Sequence, residues 1–184
     1  MQRLIRLVQG AERAAGVRHI LQLNKPAGRA LVEFHTALLR ADSPLAPAEL
    51  ELIAAYVSGL NACQYCYGVH SQVAQAFGLE GSLIEALVAD LESAPVEARL
   101  KPLLAYARKL TLAPAKMIQA DADAVFAAGW SERALHDVVL TTCLFNFMNR
   151  LLDGHGCKGG PEIYADRGRG LKEHGYDPLL EFLR

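Results

Sequence analysis

Residues 47–70 read PAELELIAAYVSGLNACQYCYGVH. From Leu52 to Val69 no side chain is charged, and by length alone that run could span a membrane. Its second half, however, carries Ser58, Gly59, Asn61, Cys63, Gln64 and Cys66, too many polar and turn-forming residues for a lipid-embedded helix. The stretch therefore divides into two helices folded back on each other through Gly59-Leu60-Asn61. An all-α fold follows once the rest of the chain is read in the same way.

Apolar residues recur at helical spacing through most of the sequence, and runs alternating with period two are nearly missing. Helices are expected near 26–41, 47–58, 62–77, 82–91, 102–111, 120–128 and 131–152, with a short one from Pro178. Pro26, Pro47 and Pro102 sit where a first helical turn accepts proline, and Asn61 and Ser131 are candidate N-caps. Gly78 and Gly129 follow periodic segments as C-terminal glycines do. Segments 47–70 and 131–156 have related patterns: a shift of 86 residues lays Glu51 over Asp137 and Cys63 over Asn149. Two similar helical units are therefore expected.

The 184 residues amount to one domain's worth of chain, and 52% hydrophobic against 21% charged residues describes a folded protein. Nineteen Lys+Arg against twenty Asp+Glu leave a formal charge of −1, so the electrostatic drive toward nucleic acid or an anionic membrane is absent. Charges break up the N-terminal residues 1–13, leaving no apolar core for a signal peptide. Four cysteines are too few for a disulfide scaffold, and a reducing cytoplasm is the expected compartment.

Chemistry concentrates at Glu51, Cys63-Gln64-Tyr65-Cys66 and His70. On a helix beginning near Asn61, positions 63, 66 and 70 share one face, so two sulfurs and an imidazole come together. The positive helix N-terminus favours thiolate over thiol there. The preceding helix returns Glu51 toward the cysteines, where it can accept a proton from His70 or from a water. By this argument alone Cys63, nearer the helix start and more exposed, is the better nucleophile. A structural zinc site would need four ligands, and no second Cys-x-x-Cys pair exists; His155 or Cys157 would have to complete it. Neither a metal nor a bound cofactor is expected.

This spacing of Glu51, Cys63-x-x-Cys66 and His70 resembles the signature of the carboxymuconolactone decarboxylase superfamily, specifically its alkylhydroperoxidase D branch. Cys63-Gln64-Tyr65-Cys66 and the later run from Asn146 to Gly154 are most similar to its peroxidase-related subgroup. The resemblance implies an all-helical homo-oligomer, a dimer or a hexamer of dimers, that reduces hydroperoxides. Within it, Cys66 would be the attacking thiolate, Cys63 the resolving thiol, and Glu51 with His70 the proton relay. A dihydrolipoyl or thioredoxin-like protein would reduce the resulting disulfide. Characterised peroxidases of this branch carry His immediately before the second cysteine, where this chain has Tyr65.

The alternatives are a decarboxylase-type lyase acting on a small carboxylate or lactone, with Arg150 or His70 as electrophile or base, and a non-enzymatic redox-sensing or metal-stabilised module. The dithiol argues against the lyase, whose reaction needs no redox pair. Arg150 and Asp153 can meet as an i, i+3 ion pair. His136 and Cys143 read as packing residues, and Phe145, Phe147 and Met148 as core or oligomer surface. His19, His35 and His174 have no evident partner. Six glycines lie between Gly154 and Gly170, and GHGCKG at 154–159 formally matches a dinucleotide fingerprint. It follows an apolar helix rather than a strand and runs into Gly160-Pro161, so a loop or a subunit contact is expected there instead.

Overall fold

A computed structural model describes residues 16–184; the signal-peptide reading of residues 1–13 lies outside them. Among the described residues there are nine α-helices and no strand: α1 Val17–Gln22, α2 Lys25–Leu39, α3 Pro47–Leu60, α4 Gln64–Ala76, α5 Gly81–Ala89, α6 Lys101–Leu112, α7 Gln119–Ala127, α8 Glu132–Gly154 and α9 Pro161–His174. A 3₁₀ segment, Asp177–Leu183, follows. No helix among them is long and apolar enough to cross a membrane.

The centre of the molecule is α3. Every residue from Leu50 to Ser58 is buried, because α4, α8, α6 and α5 pack around it. A helix enclosed in this way needs no polar face, which accounts for the uncharged run in the sequence. Local signals set its ends. Pro47 opens α3 and Glu49 accepts the Ala46 N–H. Asn24 caps α2 and Ser131 caps α8, each accepting an N–H three residues ahead.

Asn61 does not cap α4; it closes α3 instead. Ala62, at φ 54°, takes the left-handed position usually given to glycine. The Ala62 N–H bonds Gly59 O and the Cys63 N–H bonds Ser58 O, the paired closure that ends a helix with a sharp reversal. Cys63 is thus both the exit of α3 and the N-cap of α4.

The largest departure from expectation is α9, a helix where the glycine-rich segment reads as a loop. Two glycines in a helix interior each cost about 1 kcal/mol of propensity, so local sequence speaks against it. Packing decides otherwise. A Cβ on Gly168 would sit 2.7 Å from Gln72 Cβ and 2.9 Å from its backbone carbonyl carbon, and one on Gly68 would meet the Tyr164 ring at 2.5 Å. The glycines let α9 and α4 lie almost backbone to backbone. Gly168→Ala should therefore lower stability by about 1–3 kcal/mol, seen as a lower urea midpoint. Gly154→Ala, whose Cβ meets nothing, should leave the midpoint unchanged or slightly raised.

Candidate functional site

Cys63 is fully buried at the mouth of α4 and Cys66, only 3% exposed, lies three residues into the helix. Both are free thiols, as are exposed Cys143 and buried Cys157. The Cys66 thiol hydrogen-bonds the Cys63 sulfur. That bond, helped by the Cys66 backbone N–H, lowers the Cys63 pKa against the opposing effects of burial and Asp153. The same contact with Cys63, together with burial, pushes the Cys66 thiol well up. The two shifts run in opposite directions, so of the two sulfurs Cys63, at the positive helix end, is the one that gives up its proton more readily.

Accessibility points the other way. Cys66, not Cys63, lines a cavity of about 420 Å³ bounded by α1, α2, α4, α8, α9 and the C-terminal 3₁₀ segment. The expectation that Cys63 is the more exposed sulfur therefore fails: the turn that makes it an N-cap also buries it under the end of α8. Asn149 on α8 holds Cys66 by a side-chain hydrogen bond. It is itself fixed by donating to Ser58 Oγ at 3.0 Å and accepting from Asn61 Nδ2 at 2.9 Å.

His70 is one helical turn beyond Cys66 and lines the same cavity. Its Nδ1–H donates to Glu51 Oε2 at 2.7 Å. Glu51 is fully buried near the start of α3. Burial alone would raise its pKa, but the His70 and Arg40 contacts more than offset this and hold it below the ordinary carboxylate value. Arg40, just past α2, meets Glu51 Oε1 at 2.7 Å, and the Tyr176 hydroxyl donates to the same oxygen at 3.1 Å. Burial and the Glu51 charge hold Tyr176 protonated, its pKa pushed well up.

Arg40 and Tyr176 were invisible to sequence reasoning, since each meets Glu51 only through tertiary folding. His35, without an evident partner in sequence, is buried against Phe145 and Tyr176 and donates from Nδ1 to Leu31 O at 2.6 Å. Arg150 forms no ion pair with Asp153. It is exposed and donates to the backbone and side-chain oxygens of Asn146, while Asp153 is turned toward Cys63. Arg150 is not among the cavity's lining residues, which removes it as a site electrophile. His136 and Cys143 lie on the solvent side of α8 rather than packing inside, and Phe147 is half exposed whereas Phe145 and Met148 are core. Asp137, matched to Glu51 by the internal shift, is buried with Arg133 and Ser43 as partners.

No group of three or more His, Cys, Asp or Glu among the described residues is arranged to hold a metal ion. His155 donates instead to Leu151 O, and burial pushes the Cys157 thiol up to about 12, making it a poor ligand.

The buried groups make stability depend on pH. Burial lowers the His35 pKa from 6.5 to about 4, so between these values the unfolded chain binds a proton that the folded chain does not. Stability should fall as pH drops from about 6.5 toward 4, by roughly 3 kcal/mol from His35. Glu51, with its lowered folded pKa, adds loss of the same sign below the ordinary carboxylate range. Urea unfolding at pH 7 and pH 4.5 reads this slope, which should be clearly shallower in His35→Phe.

The model of the carboxymuconolactone decarboxylase family matches residues 25–109, from α2 through most of α6. No curated protein matches the chain significantly. Among solved structures, a peroxidase-related protein from Silicibacter sp. TM1040 superposes with a TM-score of 0.76 at 29% identity, covering 83% of this chain and 80% of its own. A second, described as an alkylhydroperoxidase AhpD core and peroxidase-related protein from Ralstonia eutropha JMP134, superposes at 0.74 with 24% identity over 81% and 78% of the two chains, and speaks to the fold. The matched segment holds the dithiol and both members of the Glu51–His70 pair, so the centre of the chain is similar to the carboxymuconolactone decarboxylase family and its all-helical fold is that of the alkylhydroperoxidase D-like structures.

Proposed function

We propose that the chain is a thiol-dependent hydroperoxide reductase working through a Cys63–Cys66 disulfide, as the peroxidase-related description of its structural relative also suggests. The observation that carries this reading is a buried pair of free thiols, of which Cys66 borders the 420 Å³ cavity and Cys63 does not, beside a histidine bonded to a buried carboxylate.

The steps follow from that arrangement. The proton on Cys66 passes to His70, leaving Cys66 as thiolate where peroxide can reach it. Cys66 Sγ attacks the terminal oxygen; an S–O bond forms, the O–O bond breaks, and the alkoxide takes a proton from His70. Glu51 stabilises the charged imidazole while the relay is loaded. Cys66, now a sulfenic acid, is attacked by Cys63: the S–S bond forms and hydroxide leaves as water after protonation. A dithiol of a lipoyl or thioredoxin-like protein, in a reducing compartment, returns two electrons and two protons and is itself oxidised to a disulfide.

One equivalent of peroxide should consume two thiols and leave Cys63 linked to Cys66 by peptide mass. A stable sulfenic or sulfinic acid with no disulfide would refute the cycle. Cys63→Ser should turn over one peroxide and accumulate sulfenic acid on Cys66, whereas Cys66→Ser should barely react; the opposite pattern would make Cys63 the attacking thiolate. Glu51→Gln and His70→Ala should each slow peroxide consumption by roughly 10²–10⁴.

The function also includes assembly as a homo-oligomer, a dimer or a hexamer of dimers. In support, Phe147 on α8 and Leu112 at the end of α6 are half-exposed, and each directly follows one member of the Asn146–Thr111 hydrogen bond that joins the two helices. Sedimentation at micromolar concentration should show no monomer; a clean, fully active monomer would dismiss the assembly.

A further inference from the structure

The cavity in front of Cys66 is much larger than hydrogen peroxide requires. At about 420 Å³ it would hold on the order of a dozen waters, and it falls in the size range of small-ligand pockets. Its inner wall is hydrocarbon, from Leu21, Val32, Val69, Phe145, Met148 and Leu152. Charge is confined to the segments contributed by α1 and α9, where Arg18, Arg167 and Arg169 line the opening with Asp166, Glu173 and His174.

These charges are unevenly matched. Asp166, two-thirds exposed, lies 3.8 Å from Arg167 and 4.0 Å from Arg169, while Glu173 faces His174 at 3.7 Å. Arg18 has no ion-pair partner among the described residues, its Nε is buried without a hydrogen bond, and its guanidinium stacks on Phe182 at 4.2 Å. Arg167 is close enough for its charge to act unfavourably on Arg18, second only to burial, with Asp166 a partial counterweight. Arg167 also lies close enough to the hydroxyl of Tyr65, the residue next to Cys66, for its charge to act on it. The cavity therefore runs from a buried sulfur through an apolar interior to two guanidiniums sharing one weak, solvated carboxylate.

We propose that this cavity selects organic hydroperoxides with an apolar chain ending in a carboxylate, the chain lying along the hydrocarbon wall and the carboxylate taken by Arg18 and Arg167. The inference rests on the hydroperoxide reading for its reacting group, and on the cavity alone for the chain and the anionic head. Tyr65 then connects the two ends: its hydroxyl lies near Arg167 and it sits beside the attacking cysteine. Asp166 competes with the carboxylate for Arg167 and limits affinity.

The test uses the full chain, reduced beforehand and freed of reductant, so that a single oxidative turnover is read. Its probes are the hydroperoxide of linoleic acid and that of methyl linoleate, with dodecanoate and methyl dodecanoate as unreactive ligands for calorimetry. The acid should be preferred over the ester by about tenfold or more in both assays, as expected of charge-assisted hydrogen bonds. That ratio should collapse toward one in Arg18→Gln and in Arg167→Gln, persist in large part in Arg167→Lys, and rise in Asp166→Asn. Equal use of acid and ester by the unaltered protein, or a ratio indifferent to both arginines, would overturn the proposal. If dodecanoate binds with the expected arginine dependence but no hydroperoxide is reduced, the anionic-chain site stands and the peroxidase reading falls. If dodecanoate does not bind, the site itself is wrong, whatever peroxides are consumed.

Discussion

Everything around the dithiol depends on keeping one carboxylate charged in the interior. Glu51 has no contact with solvent, and a bare carboxylate there would cost several kcal/mol. Its two oxygens are satisfied by three groups from different parts of the chain: His70 from α4, Arg40 from the end of α2 and Tyr176 from the C-terminal segment. Arg40 also donates to Leu171 O on α9, so the same charge draws that helix into place. Because removing one partner would strand the others, these elements are held in a fixed relation to the histidine one helical turn beyond Cys66. The charge is thus an organising constraint on the fold.

The second constraint is the tight reversal between α3 and α4. By placing Ala62 in the left-handed region, the chain turns within a few residues and delivers Cys63 to the helix N-cap and Cys66 to the first turn. This separates two properties usually found on one sulfur. Cys63 receives the electrostatic stabilisation of the helix end, while Cys66 faces the space where a substrate can lie. Each sulfur is the strongest single influence on the other's pKa, lowering it at Cys63 and raising it at Cys66. Asn149 from α8 holds Cys66 in that geometry.

The third element is α9, whose role is access. Glycines at 68 and 168 let it lie against α4, and the approach is so close that Tyr164 and Tyr65 meet edge to face at 6.1 Å. Next to Cys66, Tyr65 stays protonated, its pKa pushed up to about 12 by burial. It therefore cannot shuttle protons at neutral pH, and its hydroxyl lies near Arg167. The helix bearing Arg167 closes one side of the cavity, and His70, bonded to Glu51, lines it as well.

Much of this was legible in the sequence because it is local. Period-3.6 apolar spacing marked seven of the helices to within two or three residues, and the distance between Cys63, Cys66 and His70 is set by one helix whatever surrounds it. Glu51 was legible for the same reason, since one hairpin relates its helix to theirs. The glycine-rich α9 was not, because its stability comes from the fit of Gly168 against Gln72 and not from helix propensity. Nor were Arg40, Tyr176 and Asn149, which reach the site from far along the chain and carry no motif of their own. The sequence by itself determined an all-helical fold and the chemical groups gathered near its centre. Which sulfur faces the cavity, which is stabilised as thiolate, and where the charges stand at the opening were decided only by tertiary structure, since burial and field at a point depend on every element packed around it.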